Sequence, residues 1–200
     1  NSFVIVVGLG GVGSHAANMI ARSGVSRLRL VDFDQVTLSS LNRHAVAMME
    51  DVGISKALTM KNKLLKIVPN CEIEAISQMF RGYNASELLN GQPDYVLDCI
   101  DDVNTKAELL SYCINNNMKV ITSMGAGGKA DPTKLRIGSL NDCIKDPLAS
   151  KIKWKLKKLD INVDKTNITT IYSTEKATIN LLPLSEEQYQ NPGDFGTVDY

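Results

Sequence analysis

Cysteine is scarce in this sequence and poorly placed for joint work: Cys71, Cys99, Cys113 and Cys143 lie far apart and none forms a CxxC pair. That spacing argues against a zinc knuckle and against a disulfide framework. It leaves small hydrophobes suited to burial in a reducing compartment. No apolar run approaches the roughly 20 residues of a bilayer span, and no charged-then-apolar leader precedes the first apolar segment, so this stretch is expected to be soluble. Net charge is zero, with 22 basic against 22 acidic residues, which removes any global signature of nucleic-acid binding. Histidine occurs only at His15 and His44; neither is given a role. The first residue is not Met and the closing "GDFGTVDY" ends no helix or strand, so a fragment of something longer is expected.

What is present reads as an ordinary globular chain. Its 200 residues, 44% hydrophobic, suffice for one domain, or one with an appendage, that buries roughly 70% of its extended surface. Apolar runs and helical patterns alternate: strand 3–7, helix 11–22, strand 27–32, helix 53–67, strand 72–77, short helix 85–89, strand 94–99, helix 104–116, strand 119–123. This rhythm predicts an α/β fold, a Rossmann-like, doubly wound, mostly parallel sheet with ligands at the carboxyl ends of its strands. Residues 1–131 are expected to form this nucleotide-binding domain. Residues 132–200 read as an appended C-terminal layer on the same domain: strand 134–139, a lysine-rich helix 147–158, a polar stretch 160–166, strand 168–173 and a Pro/Gly-rich tail.

Directly after the apolar "VIVV", Gly8, Gly10 and Gly13 satisfy GxGxxG at a helix start. Such glycines permit a tight turn, close approach of backbone to phosphate and helix-on-strand packing, and a helix N-terminus attracts anions. Gly11 belongs to the same turn. Asp32 ends the second strand, where a carboxylate can accept bonds from ribose hydroxyls, and Asp34 follows it. Taken alone, this stretch favours NAD. Downstream, however, "SSLNRH" supplies Asn42 and Arg43, "VGISKA" supplies Lys56, and "LDCIDDVNTK" supplies Asp101. Two cations, an amide and a carboxylate converge on one strand edge. Nicotinamide has no use for that set, whereas ATP with Mg²⁺ uses all of it. Singly, Arg43 and Lys56 could be solvated surface cations; Asp101 and Asp102 are expected to divide the work, one capping the following helix and one binding metal.

With these residues assembled, the chain resembles the ubiquitin-activating-enzyme-like superfamily, which adenylates carboxylates; "GLGGVGS", "DFD", "LNRH", "VGISK" and "DCIDD" carry the likeness. The resemblance implies that Arg43, Lys56 and magnesium-binding Asp101 surround the ATP phosphates, with Asp32 on the ribose. Within that superfamily, "TSMGAGGKADPTKL", "DPLASKIKWKLKK" and "YSTE" are similar to the tRNA threonylcarbamoyladenosine dehydratase family. That likeness implies ATP-dependent activation of the threonylcarbamoyl carboxylate on a tRNA adenosine, followed by ring closure. His44, where sulfur-carrier activators usually have Gln, and the lack of CxxC pairs point away from that branch. An obligatory thioester is not expected, because no cysteine precedes "STE" closely.

The resemblance further implies a homodimer, a possible sulfur-relay or carrier partner, and, for eukaryotic members, association with the mitochondrial outer membrane through a segment outside this chain. In "KIKWKLKK", Lys151, Lys155 and Lys158 share a helix face able to grip tRNA phosphates, and an ordinary solvated face fits equally well. Lys129, in the glycine-rich run after the fifth strand, is either a substrate or tRNA contact or part of a simple turn. The alternative functions are activation of a ubiquitin-like or sulfur-carrier protein, and NAD-dependent oxidation.

Overall fold

The computed structural model describes residues 2–144, 146–166 and 168–176. Strands β1 (Phe3–Val7), β2 (Arg27–Val31), β3 (Glu72–Ile76), β4 (Tyr95–Asp98), β5 (Val120–Ser123), β6 (Leu135–Gly138) and β7 (Thr169–Ser173) form one sheet in the order β3-β2-β1-β4-β5-β7-β6. Every pairing is parallel except that of β6 with β7 at the edge. The order reverses between β1 and β4, the switch point where doubly wound sheets open a crevice.

The run "FVIVV" is buried at every residue of β1, as a strand covered on both faces must be. Alternation divides it: Phe3, Ile5 and Val7 enter a core shared with α4 (Val103–Asn115) and α5 (Pro147–Lys158), while Val4 and Val6 enter one shared with α1 (Gly11–Arg22) and α2 (Lys56–Leu65). Register aligns the strand ends, because Val7 pairs with Val31 and with Asp98, and Asp98 pairs with Thr122. The loops after β1, β2, β4 and β5 therefore leave from one edge.

The expected strands and helices occur within a few residues of their expected limits, including the short α3 (Ala85–Leu88). The helix expected from residue 53 starts at Lys56, because Gly53 (φ +88°) makes a left-handed turn and the Ser55 side chain caps the helix at the Leu58 amide. The C-terminal strands extend the sheet itself, β7 beside β5 and β6 outside it. Between them α5 packs on α4, with Ile152 and Leu156 in the same core as Leu109. The Pro/Gly-rich tail lies outside the described residues.

Gly13 has no room for a side chain: a Cβ there would fall onto the Gly8 carbonyl oxygen. A Cβ at Gly10 would meet nothing within 4 Å. Gly13→Ala is therefore expected to destabilise the fold by about 1–3 kcal/mol, the usual range for forced overpacking, and Gly10→Ala by well under that. Urea denaturation of the two variants side by side checks the contrast.

Candidate functional site

At the aligned strand ends lies a cavity of about 880 Å³, within the roughly 300–1,000 Å³ range of small-molecule sites. Its floor is the turn from β1 into α1. Gly8 adopts φ +88°, and a Cβ there would sit 2.9 Å from the Cys99 backbone, so only glycine fits. No side chain caps α1 at Gly10, and its first turn contains no acid. The helix thus presents amide hydrogens and positive dipole charge to the cavity, with open space beside Gly10. This is an anion seat.

Around it stand several of the expected residues. Asp32 is buried; its Oδ2 accepts from the Leu9 amide at 2.5 Å and its Oδ1 from the Asp34 amide at 2.8 Å. Burial holds the Asp32 carboxyl above its ordinary pKa, against the pull of both amides and of Lys56. Each oxygen retains acceptor capacity for a sugar hydroxyl. Lys56 Nζ, nearly buried, pairs with the half-exposed Asp34 at 2.8 Å. The aliphatic stem of Arg43 lies over Gly11, and its Nη1 donates to Ser39 O at 2.7 Å and to Asn42 Oδ1 at 3.1 Å. Asp102 caps α4 by accepting from the Thr105 amide at 2.8 Å, leaving its neighbour Asp101 on the cavity wall with no hydrogen bond or ion pair among the described residues.

Three of the candidate residues are engaged away from the cavity wall. Asn42 does not line the cavity; its oxygen serves Arg43 instead. Gly13 is also absent from the lining, its smallness being used against Gly8. Lys129 is not an available cation for tRNA: its Nζ donates to Gly125 O at 2.7 Å and pairs with buried Asp146 at 3.0 Å. It clasps the glycine-rich loop to the start of α5, because Asp146 also caps that helix at the Ala149 amide. The loop itself does line the cavity, through Gly125, Ala126 and Gly127. Lys151 and Lys158 are exposed on α5 and Lys155 is half-buried.

Sequence reading missed an apolar wall of Met79, Phe80 and Met124, against which a flat base can lie. It also missed the support beneath Asp101. Asp98 and Lys106 form an ion pair at 2.9 Å with both side chains fully buried. Thr122 Oγ1 donates to Asp98 at 2.6 Å, the Ile100 amide to the same carboxylate at 3.2 Å, and Lys106 Nζ to Ile100 O at 2.8 Å. Two strands and a helix are thereby tied to the loop that carries Asp101. An acid closing an apolar strand and a lysine eight residues later on an apolar helix face were the available signal.

Both histidines sit close by. His15 Nε2 lies 3.2 Å from Arg43 O at the cavity edge. His44 is buried, and its Nδ1 accepts from the Val46 and Ala47 amides at 3.3 and 3.1 Å. Burial and the nearby Lys56 lower its pKa to about 4. Cys71, Cys113 and Cys143 are buried, as expected for small hydrophobes. Cys99 borders the cavity, yet burial pushes its thiol up to about 12, far from a ready nucleophile.

A profile of the ThiF family matches residues 1–173. Over its whole length the chain is 45% identical to tRNA threonylcarbamoyladenosine dehydratase 2 of Saccharomyces cerevisiae, of which it spans only 44%. It is 39% identical to the tRNA threonylcarbamoyladenosine dehydratase of Haemophilus influenzae, with 86% of this chain and 67% of that protein aligned. The crystal structure of the Escherichia coli tRNA N6-threonylcarbamoyladenosine dehydratase in complex with ATP superposes with a TM-score of 0.85 at 34% identity, covering 88% of this chain and 74% of that one.

Two outcomes follow from the buried groups. Lys106→Met strands the Asp98 carboxylate without its cation and is expected to cost about 3–5 kcal/mol in chemical denaturation, as breaking a buried pair does. His44 titrates near its ordinary 6.5 when unfolded and near 4 when folded, so the unfolded chain takes up the proton first as pH falls. Its contribution is complete above pH 6.5 and is lost between 6.5 and about 4. Denaturation midpoints at pH 7 and pH 4.5 should fall less for His44→Asn than for the natural chain.

Proposed function

Because the chain belongs to the ThiF family, beside the tRNA threonylcarbamoyladenosine dehydratases, we propose that it binds ATP in this cavity and uses it to activate a carboxylate on a modified tRNA adenosine. The observation that carries this reading is the uncapped start of α1 beside the open face of Gly10, in one cavity with Arg43, Lys56 and Asp101, the last without a partner among the described residues. A triphosphate supplies the anion that such a seat lacks, Asp32 accepts from the ribose, and the base lies along Phe80 and Met124.

In the proposed reaction an oxygen of the threonyl carboxylate bonds to the α-phosphorus of ATP, and the bond to pyrophosphate breaks. A nitrogen or oxygen of the same modification then attacks the acyl carbon and expels AMP, closing the ring. The balance is loss of one water from the nucleoside, with ATP split to AMP and pyrophosphate. Little acid-base chemistry is needed from side chains. The chain's part is to hold the reactants in line and to meet developing negative charge with the α1 amides, Arg43 and Lys56. Engagement by Lys56 loosens its pair with Asp34, which is half in solvent and so readily released.

Among the described residues no group of three or more metal-ligating side chains gathers. A lone unpaired carboxylate nevertheless fits magnesium, which uses one or two carboxylates with the nucleotide's own phosphates. Asp101 would hold it, and the ion would supply positive charge on the triphosphate. A homodimer, from the resemblance to the family as a whole, and a mitochondrial location, from the resemblance to its eukaryotic members, belong to the same reading.

Arg43→Ala and Asp101→Ala are each expected to slow turnover roughly 100-fold to 1,000-fold, as loss of one charge-stabilising donor does. Nucleoside analysis of tRNA incubated with the full-length protein and ATP reads this directly. No cyclised product from the natural protein, or thermal stabilisation by NAD and none by ATP with magnesium, overturns the reading.

A further inference from the structure

The site above accepts a nucleotide, but a tRNA substrate must also be held by what flanks that nucleotide. We propose that the outward face of α5 is a docking surface for the single-stranded RNA next to the reacting adenosine, with Trp154 as its stacking platform. This rests on the reading of the cavity as an enzyme site acting on tRNA.

Position is the first argument. Leu148, in the opening turn of α5, lines the cavity. At about 1.5 Å per residue, Lys151 to Lys158 lie roughly 5 to 15 Å along the helix from Leu148. The loop that walls the cavity is bound to the same end of the helix through Lys129 and Asp146. An RNA strand leaving the cavity across this loop meets α5 at once.

Chemistry is the second. Ala149, Ile152 and Leu156 form the buried stripe of the helix. At about 100° per residue, Trp154 lies opposite that stripe, between Lys157 on one side and Lys151 and Lys158 on the other. Trp154 is 55% exposed, and Lys158 Nζ stands 3.8 Å from its ring centroid. Five lysines fall within the eight residues 151–158, and none pairs with a carboxylate among the described residues. In a chain of zero net charge this is a local concentration of uncompensated cations around one exposed indole. Backbone phosphates and unstacked bases need that combination. An anionic membrane would also attract the lysines, but a surface-bound amphipathic helix inserts its apolar stripe, and here that stripe is packed into the core against α4.

The test uses the full-length protein, tRNA, a ten-nucleotide single-stranded RNA and phosphatidylserine vesicles. Trp154→Ala is expected to weaken binding of the short RNA about 10-fold, and Trp154→Phe to restore most of it, since any ring can stack. Replacing Lys151, Lys157 and Lys158 together by Gln should flatten the plot of log affinity against log salt by about 2–3. RNA should also quench a fluorescence component that disappears in Trp154→Phe. Stabilisation by ATP with magnesium, measured on each variant, reports that the fold is intact. If tRNA binds the natural protein and these variants equally, or if vesicles capture the protein and short RNA does not, the docking surface is wrong while the cavity reading stands. If the natural protein binds no tRNA, the cavity reading falls too.

Discussion

The backbone contact between Gly8 and Gly13 is the constraint on which the remainder of the site depends. The Gly8 carbonyl occupies the place of a Gly13 side chain, so α1 starts directly against the end of β1. Any larger residue would push the helix away and take its amides from the cavity. The same turn requires the left-handed Gly8 and brings Cys99 close, which couples the first strand to the loop after β4. A side chain missing at two positions thereby decides where an anion can sit.

The charged groups around that seat are each held by a partner within the protein. Lys56 is kept by Asp34, Arg43 by the carbonyl of Ser39, and Asp32 by two amides. These are preorganising contacts, made with exposed or backbone partners that a phosphate can outbid or share. Beneath them the fully buried Asp98–Lys106 pair does something different. It adds little net stability, since burying two charges offsets their attraction. Its value is geometric, because each end bonds the Cys99–Asp102 loop or the strands beside it, and Asp101 is left without a partner among the described residues.

Within the C-terminal segment, the described strands β6 and β7 lengthen the sheet and α5 shares the core of α4, so the basic face of α5 is built on the same core as the strands that border the cavity. Lys129 shows how tertiary context reassigns a residue. In the sequence it is one more cation after a glycine run; in the fold Asp146 and a carbonyl absorb it completely.

The sequence alone determined the alternation of strands and helices, the glycine turn and the residue types suited to a nucleotide's phosphates, because these are local patterns of period and spacing. It could also say that Asp101 and Asp102 would share duties, since a helix start needs a cap. It could not decide which contacts each charge keeps, and so it treated Asn42 as a ligand group, left Lys129 between a substrate contact and a turn, and passed over Asp98, Lys106 and Phe80. Those assignments depend on distances between segments far apart in the chain. Only the register of the parallel strands, which brings their carboxyl ends to one edge, settles which side chains meet there and which are used up by one another.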